Sequence, residues 1–251
     1  MVRTSSSGCL RALLVAACSA LALGGAAERA LAADEYSTEL GKVVRLSDER
    51  TMTRWAVPLK TARVYVTASA KARTIARLRL LTEDRMPEVY IALALATNSE
   101  GNWLKIRIPG RPNGRSGWVR RSAFGDLERN QYRLEINRRS FHIRLFRAGR
   151  LIYRARVGVG TAQTPTPAGQ FWIREKLRFR SNPLYGHYAL GTAAYAPTLS
   201  EWPGGGVVGI HGTAFPSLIP GRPSHGCIRM RNSSMAKLWR MTPLGTPLRI
   251  R

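Results

Sequence analysis

From Trp55 onward the chain is written in short runs of alternating apolar and polar residues, the period of half-buried strands. "RVYVTAS" alternates around Val64 and Val66, "VYIALAL" follows Pro87, and "NWLKIRIPG" sets Trp103, Lys105 and Arg107 against Leu104, Ile106 and Ile108. "RPNGRSGWVRRSAF" then supplies an Asn113-Gly114 turn before a strand at Trp118-Val119, which predicts a hairpin. "GDLERN", Gly125 to Asn130, reads as a joint. Beyond it "YRLEIN", "FHIRLF" and "LIYRARVGVG" predict an antiparallel meander with one solvated, arginine-rich face, in which His142 is structural. "TPTPAGQFWI" reads as a rigid loop entering another strand. The stretch "NPLYGHYALGTAAYAPTLSEWPGGG" has too little periodicity for an ordinary element, so residues 181–206 are expected to form a substrate lid. Met235, Leu238 and Trp239 fall at i, i+3 and i+4, predicting a short helix over 233–240 capped by Asn232 or Ser233. "GTPLRIR" closes the chain as a last strand, and residues 33–53, polar and without period, read as a flexible lead-in.

The expected fold is mainly β with one short C-terminal helix, in two parts, 54–125 and 126–251. The first part, with five or so short strands in about seventy residues, is expected to make a small barrel. On its "NWLKI…NGRSGWV" hairpin it resembles a bacterial SH3-like domain. Trp55, Trp103 and Trp118 are then core or rim aromatics rather than the walls of a peptide groove.

Residues 1–32 stand apart. Arg3 and Arg11 make a basic start, Ala12 to Ala27 an apolar stretch, and Ala30-Leu31-Ala32 a small-x-small cleavage point, the layout of a signal peptide. Sixteen apolar residues are short of the ~20 needed to span a bilayer. "VAAC", Val15 to Cys18, offers an alternative lipoprotein processing point with a lipid anchor on Cys18. Export to a periplasm or cell envelope is expected, with no membrane span after cleavage. The 251 residues carry a formal charge of +25, which favours anionic or carboxylate-bearing partners. Nucleic acid is an unlikely partner for an exported chain whose basic residues are scattered through strands rather than clustered with aromatics. Of the three cysteines, Cys9 and Cys18 fall in the leader, so Cys227 has no intramolecular partner afterwards.

Cys227 lies in "RPSHGCIRMRN", beside His225, Arg229 and Arg231, with His211 of "VVGIHGTAF" sixteen residues upstream. A zinc site from His211, His225 and Cys227 lacks a fourth ligand. An inert buried thiol fits poorly with polar, electropositive neighbours. A catalytic thiol fits better: free cysteine titrates near about 8.5, and an imidazole acceptor with nearby positive charge raises the thiolate fraction. No acid lies near His211 in sequence, so a backbone carbonyl, that of Gly212, is the candidate to orient its ring. Gly226 lets the N–H groups of "HGC" approach a developing oxyanion.

"HGT" (His211 to Thr213) followed by "SHGCIRMRN" (Ser224 to Asn232) resembles the signature of the L,D-transpeptidase catalytic domain, and the likeness runs from about Tyr132 to Arg251. The resemblance implies an L,D-transpeptidase-type β-sandwich with Cys227 as nucleophile and His211 as general base and acid. It also implies Gly212 as the orienting carbonyl, an oxyanion hole from the N–H groups of His225, Gly226 and Cys227, and Arg229 near a substrate carboxylate. Asn232 reads as a helix cap, and Ser224 and His225 as shaping the turn. The implied substrates are peptidoglycan stem peptides joined in 3→3 cross-links, the implied inhibitors carbapenem-type, with no metal or organic cofactor. Hydrolysis of the same bond, coupling of a protein to the wall, or wall binding without catalysis are the alternatives.

Overall fold

The computed structural model describes residues 39–180, 182, 184–201 and 203–251, so the predicted leader and both of its processing points lie outside the described residues. Thr38–Arg251 is one compact unit containing two sheets.

The first sheet holds β1 (Val43–Arg45), β2 (Thr53–Ala56), β3 (Arg63–Tyr65), β4 (Thr74–Arg77), β5 (Tyr90–Asn98), β6 (Gly101–Arg107), β7 (Ser116–Arg120) and β8 (Glu128–Asn130). Its bonded path runs β4-β3-β7-β6-β5-β2-β8, with β1 added to β5. The predicted β6–β7 hairpin forms, with Ile108 N–H donating to Arg115 O at 2.9 Å behind the Asn113-Gly114 turn. Two expectations change here. The lead-in is not structureless: Val43–Arg45 pairs with Ala94–Ala96, and the Asp48 carboxylate gathers the N–H groups of Arg50, Thr51 and Met52 into a turn. The joint also ends in structure, because Glu128–Asn130 pairs with β2 and carries this sheet past residue 125.

The second sheet holds β9 (Tyr132–Asn137), β10 (His142–Arg147), β11 (Arg150–Arg156), β12 (Gly158–Gly160), β13 (Gly169–Arg178), β14 (Tyr188–Tyr195), β15 (Val207–His211), β16 (Gly221–Ser224), β17 (Ile228–Arg229) and β18 (Pro247–Ile250). Its order is β11-β10-β9-β18-β13-β14-β15-β17-β12-β16. Strand β13 turns the corner: Gly169–Trp172 pairs with β18, while Ile173–Arg178 pairs with β14. Each half therefore lays its apolar alternates on a shared core that includes Ile136, Ile143, Ile173, Ile210, Ile228 and Leu248. The single α-helix among the described residues, α1 (Asn232–Met241), buries Met235 and Leu238 against β14 and β15. No helix among the described residues is long and apolar enough to cross a membrane.

The expected lid over 181–206 needs correcting, because its middle is the strand β14, buried along most of its length between β13 and β15. A strand covered on both faces does not alternate, and its run of Ala, Gly and Thr carried no period to detect. The sheets also share their interior: Val89 and Ile91 of the first join the core of the second, and Trp172 Nε1 donates to Val89 O at 2.8 Å. Trp103 is fully buried and Trp55 packs against the shared core, as expected of core aromatics.

Candidate active site

Strands β15 and β17 lie side by side and parallel, with Ile210 opposite Ile228 and His211 opposite Arg229. Alternation then decides the faces. Ile210 and Ile228 point into the core, each 0% exposed, so His211 and Arg229 take the other face, and Cys227, one residue before β17, takes it with them. Two residues sixteen apart in sequence thus share one face of neighbouring parallel strands, Cys227 level with Gly209 and His211 two positions further along. His211, Cys227, Arg229, Ser224 and His225 line a cavity of about 400 Å³, counting its open mouth. A second, of about 830 Å³, opens from His211 and Cys227 toward Asp84 and Glu175.

His211 Nδ1 lies 2.6 Å from Gly212 O. A carbonyl only accepts, so Nδ1 carries the proton and Nε2 of the neutral ring is left as the acceptor. The ring packs against Tyr185 at 4.4 Å between centroids, with the two planes tilted by 54°. Burial is the main influence holding its pKa down to about 4; the Gly212 bond opposes this and the Arg229 charge adds to it. Burial also pushes the Cys227 thiol up, against the pull of the Gly209 backbone bonded to sulfur and of Arg229. The sequence-based expectation of an enriched thiolate is therefore reversed at rest. Both groups are thus favoured in their neutral forms, thiol and imidazole. Cys227 as a residue is half-buried and lines both cavities.

The turn carrying Cys227 is fastened by its own side chains. Ser224 Oγ donates to Cys227 O at 2.6 Å and accepts from Gly226 N–H at 3.2 Å. Gly226 has φ +125°, a region closed to residues with a Cβ, and its carbonyl accepts from Thr166 Oγ1 at 2.7 Å. Of the three N–H groups expected to face an oxyanion, that of Gly226 is already engaged by Ser224. Arg229 Nε is buried with no hydrogen-bond partner, which leaves donor capacity at the edge of the cavity.

Asn232 does not cap α1. Arg231 occupies that position without a side-chain bond, and Asn232 Oδ1 instead accepts from Thr213 N–H at 2.8 Å. It presses so closely on the turn that a Cβ at Gly212 would lie 2.1 Å from this oxygen. Asn232 therefore holds the turn whose carbonyl holds His211. Thr166 and Tyr185 escaped the sequence reading; each is far from the signature, and nothing in the local pattern singles either out. Among the described residues no group of three or more His, Cys, Asp or Glu side chains is arranged to hold a metal ion, and His225 is exposed.

Residues 131–250 match the family model of the L,D-transpeptidase catalytic domain, YkuD. The YkuD protein of Bacillus licheniformis is 33% identical over 119 residues, covering 47% of this chain and 65% of that protein. Its Bacillus subtilis counterpart is 35% identical over 94 residues, covering 38% and 50%. The chain thus spans less than two thirds of the length of these curated relatives. Among solved structures, the catalytic domain of the Enterococcus faecium L,D-transpeptidase is 25% identical, covering 47% of this chain and 95% of that one at a TM-score of 0.36. A Mycobacterium smegmatis L,D-transpeptidase is 14% identical, covering 60% and 90% at 0.40.

Proposed function

We propose that the protein, whose residues 131–250 match the L,D-transpeptidase catalytic-domain family model, is an exported enzyme of the cell envelope that forms 3→3 cross-links between peptidoglycan stem peptides through a Cys227 acyl-enzyme. The observation that carries this reading is the His211 ring, fixed by Gly212 O at 2.6 Å with Nε2 left as proton acceptor, on the strand beside the one that Cys227 enters.

Cys227 Sγ attacks the carbonyl that joins the L-centre of a diamino acid to a terminal D-alanine, as His211 Nε2 takes the thiol proton. Because both groups are neutral at rest, charge separates only as the S–C bond forms, where the N–H groups of His225 and Cys227 meet the developing oxyanion. The tetrahedral adduct collapses, His211 returns the proton to the departing amine, and D-alanine leaves. A side-chain amine of a second stem then attacks the thioester, His211 takes its proton, and the thiol is restored. In this reading the Arg229 guanidinium holds the free carboxylate of the donor stem, which its unpartnered Nε supports.

Incubation with purified disaccharide-tetrapeptides tests the reading. Cross-linked dimers with release of D-alanine are expected; tripeptides alone would make the protein a hydrolase. Intact-mass measurement with a carbapenem should show one acyl adduct, absent in Cys227→Ala; an adduct persisting in that variant would overturn the assignment of the nucleophile.

A further inference from the structure

One wall of the smaller cavity is held only in part by its own sheet. Ala196, Leu199, Gly206 and Val207 line it together with His211, Cys227 and Arg229. Past the irregularity between Gly191 and Tyr195, Tyr195 still pairs with Val207 and Ala196 N–H donates to Gly206 O at 2.8 Å, but β13 pairs with β14 no further than Thr192 and leaves that side of Tyr195 without a neighbouring strand. The missing partners come from the β6–β7 hairpin of the first sheet. Asn113 Nδ2 donates to Tyr195 O at 2.8 Å and its Oδ1 accepts from Tyr195 N–H at 3.1 Å, so one side-chain amide serves both backbone groups as a neighbouring strand would. Arg111 spreads its guanidinium over three carbonyls. Nε and Nη2 donate to Ala196 O at 3.0 and 2.8 Å, Nη2 also to Leu199 O at 3.1 Å, and Nη1 to Gly205 O at 2.8 Å. The same guanidinium lies 5.4 Å from the Tyr195 ring centroid.

We infer that Arg111 and Asn113 are positioning residues for the Cys227 cavity, and that the first sheet is in this way a working part of the active site. Neither residue lines the cavity. Each acts through the backbone of Tyr195, Ala196, Leu199 and Gly205, which sets where the wall stands relative to the sulfur. A planar fork that meets three carbonyls at once fixes their spacing in a way that a point charge cannot. The wall therefore governs how a ligand is seated rather than the proton transfer itself.

The kinetic part of this inference rests on the proposed acyl-enzyme; the structural part does not. The test uses the full chain and its Arg111→Ala, Arg111→Lys and Asn113→Ala variants, with two readouts. Hydrogen exchange is followed in peptides carrying Tyr195, Ala196 and Val207, with Tyr132–Arg147 as internal reference for intact folding. Carbapenem acylation is followed as a function of concentration. Arg111→Ala is expected to speed exchange at those amides only. It should raise the half-saturating carbapenem concentration roughly tenfold to a hundredfold, the scale of a misplaced site, with the saturated rate nearly unchanged. Asn113→Ala should do the same to a smaller degree, and Arg111→Lys should restore less than half of the loss. Exchange unchanged at Tyr195 and Ala196 would overturn the inference, as would faster exchange with unaltered acylation or full rescue by lysine. Should the wild-type protein form no adduct, the proposed function fails, and the rate of Cys227 alkylation by iodoacetamide reads the wall in its place.

Discussion

At the junction of the two sheets Arg174, 1% exposed, meets Glu88, 0% exposed, through two hydrogen bonds, and reaches Glu83 at 3.0 Å. At the candidate active site His211, 4% exposed, meets one carbonyl and an aromatic ring. Both places bury ionisable groups, and they resolve the cost differently. Burial opposes the charge of Arg174, but the bonds and attraction of Glu88, with the fields of Tyr195 and Glu83, more than offset it and the guanidinium holds its proton more firmly than usual. Glu83 follows the same rule. Burial works to raise it, yet Arg174, Tyr195 and Arg79 hold it down to about 2. His211 and Cys227 have no such partners, so burial wins and both are neutral. A paired charge serves as structure; an under-partnered neutral pair is free to pass a proton. One compact unit thus holds charge-paired burial at its seam and neutralised burial at the candidate site.

The sharpest way to break this contrast is to remove the proton acceptor. His211→Asn keeps a polar side chain near Gly212 but not the basic nitrogen, and acylation of Cys227 should slow by roughly 10²–10⁴-fold, read by mass against time, with little change in thermal midpoint. At the seam the effect should fall on stability instead. Glu88→Gln removes the fully buried of Arg174's two carboxylate partners, leaving only Glu83, and should cost about 3 kcal/mol in denaturant unfolding. Replacing both, Glu88→Leu with Arg174→Met, should recover most of that loss. A double variant no better than the single would mean that Glu88 acts through something other than the pair. A smaller effect belongs to Asn232→Ala, which frees the Thr213 N–H and should cost about 1 kcal/mol, with acylation slowed several-fold because the turn beneath His211 loosens.

What could be read from the chain follows the same division between local and tertiary causes. Strands β9 and β10 were plain because Leu134, Ile136, Ile143 and Leu145 alternate with polar residues across one buried face. Strand β14 was not, since Tyr188–Tyr195 is covered on both sides, and β1 was not, since all three of its residues are exposed and only its pairing with β5 makes it a strand. The matched domain could be anticipated because His211 and Cys227 lie in motifs whose residues are close in sequence. Their surroundings could not. Tyr185, Thr166, Arg111 and Asn113 reach the site by packing and by hydrogen bonds spanning tens of residues. The sign of the Cys227 shift was also out of reach, because burial by β15 outweighs the arginine that the motif displays.

The smallest expected effect is a pH profile that stays flat, and it separates the two regions in one titration. With His211 already neutral above about 4, acylation should change less than twofold between about pH 5 and 7.5, whereas a histidine near its ordinary value of about 6.5 would switch off across that range. Stability should not be flat. Glu175, 2% exposed beside Asp84 and accepting from Thr82 Oγ1 at 2.6 Å, is pushed up to about 7, chiefly by burial. The folded state then holds a proton that the unfolded state gives up near 4.5, so this group's contribution is full below 4.5 and is lost as pH rises through about 7. His211 has the opposite sign: its contribution is present above 6.5 and lost as pH falls through about 4. The two overlap, so each is read as a difference from wild type. Glu175→Gln should gain stability relative to wild type as pH climbs from 4.5 to 7 and leave the acylation profile untouched, while His211→Asn should gain as pH falls from 6.5 to 4. A Glu175→Gln difference that does not grow over that window would show a carboxylate ionised like its neighbours at the seam, and the distinction between paired and neutralised burial would not extend to this cavity wall.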